Sequence, residues 1–138
     1  GKGATCMPPD EPMASSSAWL AEARIDLLWI ERTESHPDLL RRLCYAAQQA
    51  AEKALKAVIS HHGVQPLKTH HMGQLVECAA THVDVPDDIR RAYVLTEYVA
   101  TTRYPDDYYE LSQDETDEAV AIAVSVVAWA TVIVNASR

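Results

Sequence analysis

One stretch constrains this chain more than any other. Between Pro37 and His62 the residues Leu40, Leu43, Ala47, Ala50, Ala54 and Val58 recur at steps of three and four. That is the period of one face of an α-helix. Half of the stripe is alanine, and side chains that small let a neighbouring helix axis come close. A long helix with such a face cannot stand alone in water. It needs other helices laid along it, so the chain must supply them.

It does. Serines 15 to 17 offer an N-cap, and Trp19, Leu20, Ala23, Leu27 and Ile30 follow at helical spacing, which predicts a first helix over about 17–33. Ser35 with Asp38 resembles a capping box, and Pro37 suits the first turn of the second helix. Gly63 then provides a left-handed residue after His62. The loop Val64–Lys68 leads to Thr69, read as the N-cap of a short helix ending near Ala80. Asp84 and Pro86 open a longer helix, which ends at Arg103–Tyr104 because Pro105 disfavours helical geometry before it. Ser112 and Glu115 form a second capping box, and the last helix runs to about Asn135. Its valines favour strand by propensity alone, but its cap, length and alanines favour helix. The expected fold is all-α, an antiparallel up-and-down bundle of four long helices plus one short helix. Residues 1–14 hold two glycines and three prolines without any period, and are read as a disordered leader before a single domain over 15–138.

Charge narrows the function. The chain carries 12 Lys and Arg against 20 Asp and Glu, a net charge of −8. The excess is local: residues 15–82 hold seven of each sign, while residues 83–138 hold four basic and eleven acidic groups. Non-specific nucleic-acid binding comes from neutralising phosphates, so a general DNA coater is not expected. Three cysteines, Cys6, Cys44 and Cys78, make no C-x-x-C pair, and no secretory signal is evident, so a cytoplasmic, reducing compartment is expected. The longest apolar run, Ala119–Val134 broken by Ser125, is shorter than the roughly 20 residues a membrane span needs and is read as a buried helix. No membrane association is expected.

Several polar residues stand out. Gln48, Glu52 and Lys56 lie four apart on one helix face, with Gln49 and Lys53 beside them. They are either a solvated face or the lining of a polar cleft. Lys68, Thr69 and His70 precede a helix N-terminus, where free N–H groups favour anions. They make either a plain cap with exposed flanks or a phosphate site. His61–His62 and His70–His71 are adjacent pairs, and neighbours on a helix point about 100° apart, which is poor geometry for zinc. No metal and no cofactor is expected. Glycine-rich phosphate loops and the G-x-S-x-G elbow are absent from this glycine-poor chain.

Three blocks carry a family resemblance: Cys44-Tyr-Ala-Ala-Gln-Gln-Ala-Ala-Glu-Lys-Ala-Leu-Lys56, then Lys68-Thr-His70 with Leu75 beyond it, then Thr102-Arg-Tyr-Pro-Asp106. Their order and spacing resemble the HEPN domain over roughly residues 17–135. The resemblance implies a homodimeric helical bundle that handles nucleotide or RNA, often beside a minimal nucleotidyltransferase in a toxin–antitoxin pair. In the ribonuclease branch an Arg is followed at short spacing by His. Here Arg103 is present, but Tyr108, Tyr109 and Glu110 stand where that His would be. Arg presents a planar fork to phosphate. Tyrosine, with a reference pKa of about 10, is a poor general base at neutral pH. In the toxin branch a tyrosine near this Arg is adenylylated, and the resemblance offers Tyr108 and Tyr109 for that part.

The expected function is therefore a HEPN-type module binding nucleotide or RNA phosphate at Arg103, with Lys68, His70, Gln48, Glu52 and Lys56 around it. The alternatives are a metal-independent endoribonuclease toxin using Arg103 with Tyr108 or His70, and a purely structural dimerisation module. Arg103 could also simply pair with Glu52 or Asp106. The expected partners are a second copy, a nucleotidyltransferase antitoxin, and nucleotide or RNA.

Overall fold

A computed structural model describes residues 6–7, 14–96 and 110–136. The expected leader lies largely outside them, and so do Arg103, Tyr108 and Tyr109. The fold is all-α. Helix α1 spans Ser16–Arg32. A 3-10 turn, Pro37–Leu39, leads into α2, Leu40–His61. Helix α3 spans Met72–Ala80 and α4 spans Asp87–Arg90. The last helix, α5, spans Gln113–Ala136. One two-residue ladder pairs β1, Cys6–Met7, antiparallel with β2, Gln65–Pro66.

Helix α2 is the axis of the molecule. It packs along both α1 and α5, and α3 lies against it as well. Its alanines 47, 50, 51, 54 and 57 are all fully buried. The small-residue stripe is thus spent inside the bundle, between α2 and its own neighbours. Helix α1 runs antiparallel to α2, since Trp19 lies by Lys56 while Asp26 pairs with Lys53 at 2.8 Å. Helix α5 runs with α2, its Thr116 beside Cys44. These directions fit an up-and-down bundle.

The caps follow the sequence at three ends and shift at two others. Ser15 Oγ accepts from the Ala18 N–H at 3.0 Å. Ser112 and Glu115 close a reciprocal capping box, both bonds 3.0 Å. Gly63 has φ of 77°, the left-handed residue expected there. Before α2, however, the cap is the His36 ring, which accepts from the Asp38 N–H, and Ser35 instead donates to Gln113. Before α3 the cap is His71, not Thr69, and the Thr69 hydroxyl accepts from the His71 N–H. In both places an imidazole Nδ1 does the work expected of a hydroxyl.

Two further expectations are corrected. The long helix expected over about 86–104 is interrupted: α4 ends at Arg90, residues 91–92 form a turn, and the backbone is helical again over 93–96. Arg91 is drawn aside to Glu118 on α5, 2.5 Å away. Helix α5 at 24 residues is long and apolar enough to cross a membrane by length and composition alone, where the apolar run looked too short. It lies against α2 and α1. Cys78 is disulfide-bonded, which the missing C-x-x-C pair does not announce. Cys44 is a free, buried thiol. Desolvation raises its pKa above the ordinary thiol value, the Thr116 hydroxyl opposes this, and the Glu115 carboxylate adds to it.

Candidate functional site

The face Gln48, Glu52, Lys56 is closed from water. The three residues are 1%, 4% and 7% exposed, so the solvated-face alternative is excluded. The chain after β2 returns to this face at His70, whose carbonyl and ring both bond to it. A charge buried this deeply costs several kcal/mol unless it is paired and hydrogen-bonded.

Among the described residues, three donors meet that demand for Glu52. Its Oε2 accepts from Lys56 Nζ at 2.9 Å, one turn along the same helix. Its Oε1 accepts from Gln48 Nε2 at 3.1 Å and from His70 Nδ1 at 2.8 Å. Gln48 Nε2 also donates to the His70 carbonyl at 3.2 Å, which pins the backbone of that corner. Gln49 donates to Gln48 Oε1 at 3.2 Å, so the amide has its orientation fixed at both ends. The Lys56 ammonium lies 5.2 Å from the centre of the Trp19 ring, a cation–π contact at the closed end of the cluster. Trp19 Nε1 is buried and has no hydrogen-bond partner among the described residues.

The geometry at His70 is unlike the rest. Its side chain is 77% exposed while the carboxylate behind it is 5% exposed. A carboxylate only accepts, so the Nδ1 of His70 carries the hydrogen and the tautomer is set from inside. Nε2 is left as the outward nitrogen. The arrangement can donate to an anion when the ring is protonated, or accept a proton when it is neutral.

Among the expected residues, Gln48, Glu52, Lys56 and His70 come together in one network. Lys68 lies on the same loop and takes no part in that network, though it has an interaction of its own. Lys53 turns away to Asp26. The histidine pairs do not converge. His62 donates Nδ1–H to the Val58 carbonyl and stacks on His82 with centroids 5.4 Å apart. No group of metal ligands exists among the described residues. Trp19 is the residue the sequence offered only as core, and nothing in its spacing marks it as the wall behind Lys56. Before residue 110, the chain is last described at Thr96, whose hydroxyl accepts from the Met72 N–H at 2.9 Å, two residues past His70.

The HEPN family model matches residues 16–133, nearly the whole domain. The chain belongs to the HEPN domain family. Two solved structures are similar to this HEPN chain along most of their length. TT1696 from Thermus thermophilus is 31% identical, covers 84% of this chain and 95% of its own, and superposes with a TM-score of 0.70. ST0689, an archaeal HEPN homologue, is 25% identical, covers 89% of this chain and all of its own, also with a TM-score of 0.70. No curated protein matches. The Gln48–Glu52–Lys56 face is thus part of the central helix of a HEPN bundle, and His70 stands at its mouth.

Proposed function

We propose that this HEPN domain binds a nucleotide or RNA phosphate at the open edge of His70, with Arg103 as the second contact, and acts with a separately encoded minimal nucleotidyltransferase. One observation carries the reading: an exposed imidazole is held by Nδ1 on a buried carboxylate that also accepts from Gln48 and Lys56. The anchor fixes the ring so that Nε2 faces outward, where an anion can reach it. Arg103 adds a planar fork suited to phosphate. Tyr108 and Tyr109 are the acceptors for transfer by the partner enzyme, a role that rests on the family resemblance.

The test is a binding titration with ATP and with a short single-stranded RNA. Wild type should bind one of them, with affinity falling as salt rises. His70→Ala and Arg103→Ala should each weaken binding at least about tenfold, and Arg103→Lys should not restore it. Equal binding by folded wild type and both alanine variants removes the site and leaves a structural module.

The endoribonuclease reading is kept for one specific reason. An imidazole oriented through Nδ1 with Nε2 open is also how a general base is held. In that reading His70 takes the role that Tyr108 is chemically unsuited for. RNA cleavage that survives EDTA and is lost in His70→Ala would move the assignment there.

A further inference from the structure

The polar face that carries Glu52 continues along α2 toward its start. Helical geometry places Arg41, Tyr45 and Glu52 within about 40° of one another around the axis, with Arg41 about 16.5 Å along it from Glu52. Glu52 is buried, whereas Arg41 and Tyr45 are exposed, the tyrosine by 52%. An exposed cation, an exposed aromatic ring and the imidazole of His70, anchored on Glu52, therefore stand in one line. Arg41 and its neighbour Arg42 also line a cavity of about 380 Å³ at the start of α2, together with Asp38, Glu110, Pro37 and Leu111. Helix stability does not account for the two arginines. The first turn of α2 carries no acid, and cations there face the positive end of the helix dipole. Neither arginine has a partner among the described residues, although Asp38 stands three and four positions before them. Asp38 lies 3.9 Å from His36 instead.

We propose that a single strand of RNA lies along this line, with one phosphate on Arg41 and Arg42, a base stacked on Tyr45, and a further phosphate on His70. The inference rests on the phosphate-binding reading of His70 and extends it from a nucleotide to a strand. Two unpaired guanidinium groups match the oxygens of a phosphodiester. An exposed ring between cations is how sequence-tolerant binding of single strands is built, since the charges track the backbone while the ring stacks a base. The length agrees. About 16.5 Å is close to five base steps of roughly 3.4 Å, so a strand of about six nucleotides spans the line and a mononucleotide does not. A duplex keeps its base faces stacked on each other and has none to offer Tyr45. The carboxylates of Asp38 and Glu110 narrow the ligand further. They repel an acidic peptide, whereas ribose hydroxyls can donate to them. With a net charge of −8 the chain exerts no long-range pull on RNA, so binding has to come from local contacts of this kind.

Fluorescence anisotropy of the full chain with labelled single-stranded RNAs of two to ten nucleotides tests it. Wild-type affinity should rise with length and level off near six nucleotides. Tyr45→Ala should weaken binding of the ten-nucleotide strand about tenfold, and Tyr45→Phe, which keeps the ring, should stay within about twofold of wild type. Arg41→Ala combined with Arg42→Ala should weaken it at least about tenfold and reduce the slope of log affinity against log salt by roughly 0.7, for the one phosphate lost. All three side chains are exposed, so the variants should melt as wild type does. Affinity that does not change between two and ten nucleotides overturns the proposal. Ten-nucleotide binding indifferent to Tyr45→Ala and to the arginine pair overturns it as well. His70→Ala, measured beside them, separates the two readings. If it alone weakens binding, only the track falls; if no variant has any effect, the His70 site falls with it.

Discussion

Replacing Glu52 by Ala should be among the most damaging single changes in this protein. The carboxylate accepts from Lys56, Gln48 and His70, and its removal leaves three donors without their acceptor. They do not weigh equally. His70 is mostly in water, so losing its half of that contact costs little. Gln48 keeps a bond to the His70 carbonyl. Lys56 is the expensive one. The residue is 7% exposed, and with Glu52 gone the neighbour left to its ammonium among the described residues is the face of Trp19. Stranding one partner of a buried ion pair costs about 3–5 kcal/mol. For a domain of this size that is a fall of roughly 10–20 °C in Tm. Lys56→Met should cost less, about 1–3 kcal/mol, because the carboxylate keeps its bonds from Gln48 and His70. Glu52→Leu combined with Lys56→Met should recover most of the loss, since no charge is left buried. Urea unfolding of the four proteins measures all of this at once. A Glu52→Ala protein within about 1 kcal/mol of wild type would show that water reaches Lys56, and the closed network would be wrong.

Other consequences are simpler to check. Ser15→Ala removes the α1 cap and should cost about 1 kcal/mol by denaturant midpoint, with no change in ligand binding. Ala51→Leu forces a larger side chain into the fully buried α2 contact and should cost about 1–3 kcal/mol from overpacking. The buried Cys44 thiol has its pKa raised by desolvation, so its contribution to stability is complete below the ordinary thiol pKa of about 8.5 and is lost as pH rises through the folded value. Stability measured from pH 7.5 to 10 should therefore decline more in wild type than in Cys44→Ala. A thiol reagent at pH 7 should label Cys44 only as fast as the protein opens.

The helices were legible because they depend on short-range signals. Ser15, the Ser112–Glu115 box and Gly63 mark three ends, and the alanine stripe marks the central helix. The break at Arg90 was not legible. Nothing local forbids helix through residues 91–92, and Arg91 reaches across to a carboxylate on α5 that lies 27 positions further along the chain. The candidate site divides the same way. Spacing alone put Gln48, Glu52 and Lys56 on one face. It could not say whether that face is wet, because burial depends on distant parts of the chain, such as His70, which reaches Glu52 from 18 positions away. The caps at His36 and His71 escaped for a related reason. Imidazole is an uncommon cap, and a reading tuned to Ser, Thr and Asp passes over it.

The proposed function turns on His70 being an anchored imidazole whose outer nitrogen meets an anion. Nitrogen–proton correlation spectra of the imidazole rings, recorded while ATP or a short RNA is added, test that claim most directly. His70 should keep its proton on Nδ1 throughout, and its Nε2 resonance should move with the titration while those of His62 and His82 stay still. A His70 with its proton on Nε2 in the free protein, or an Nε2 signal unmoved when the ligand is bound, would contradict it.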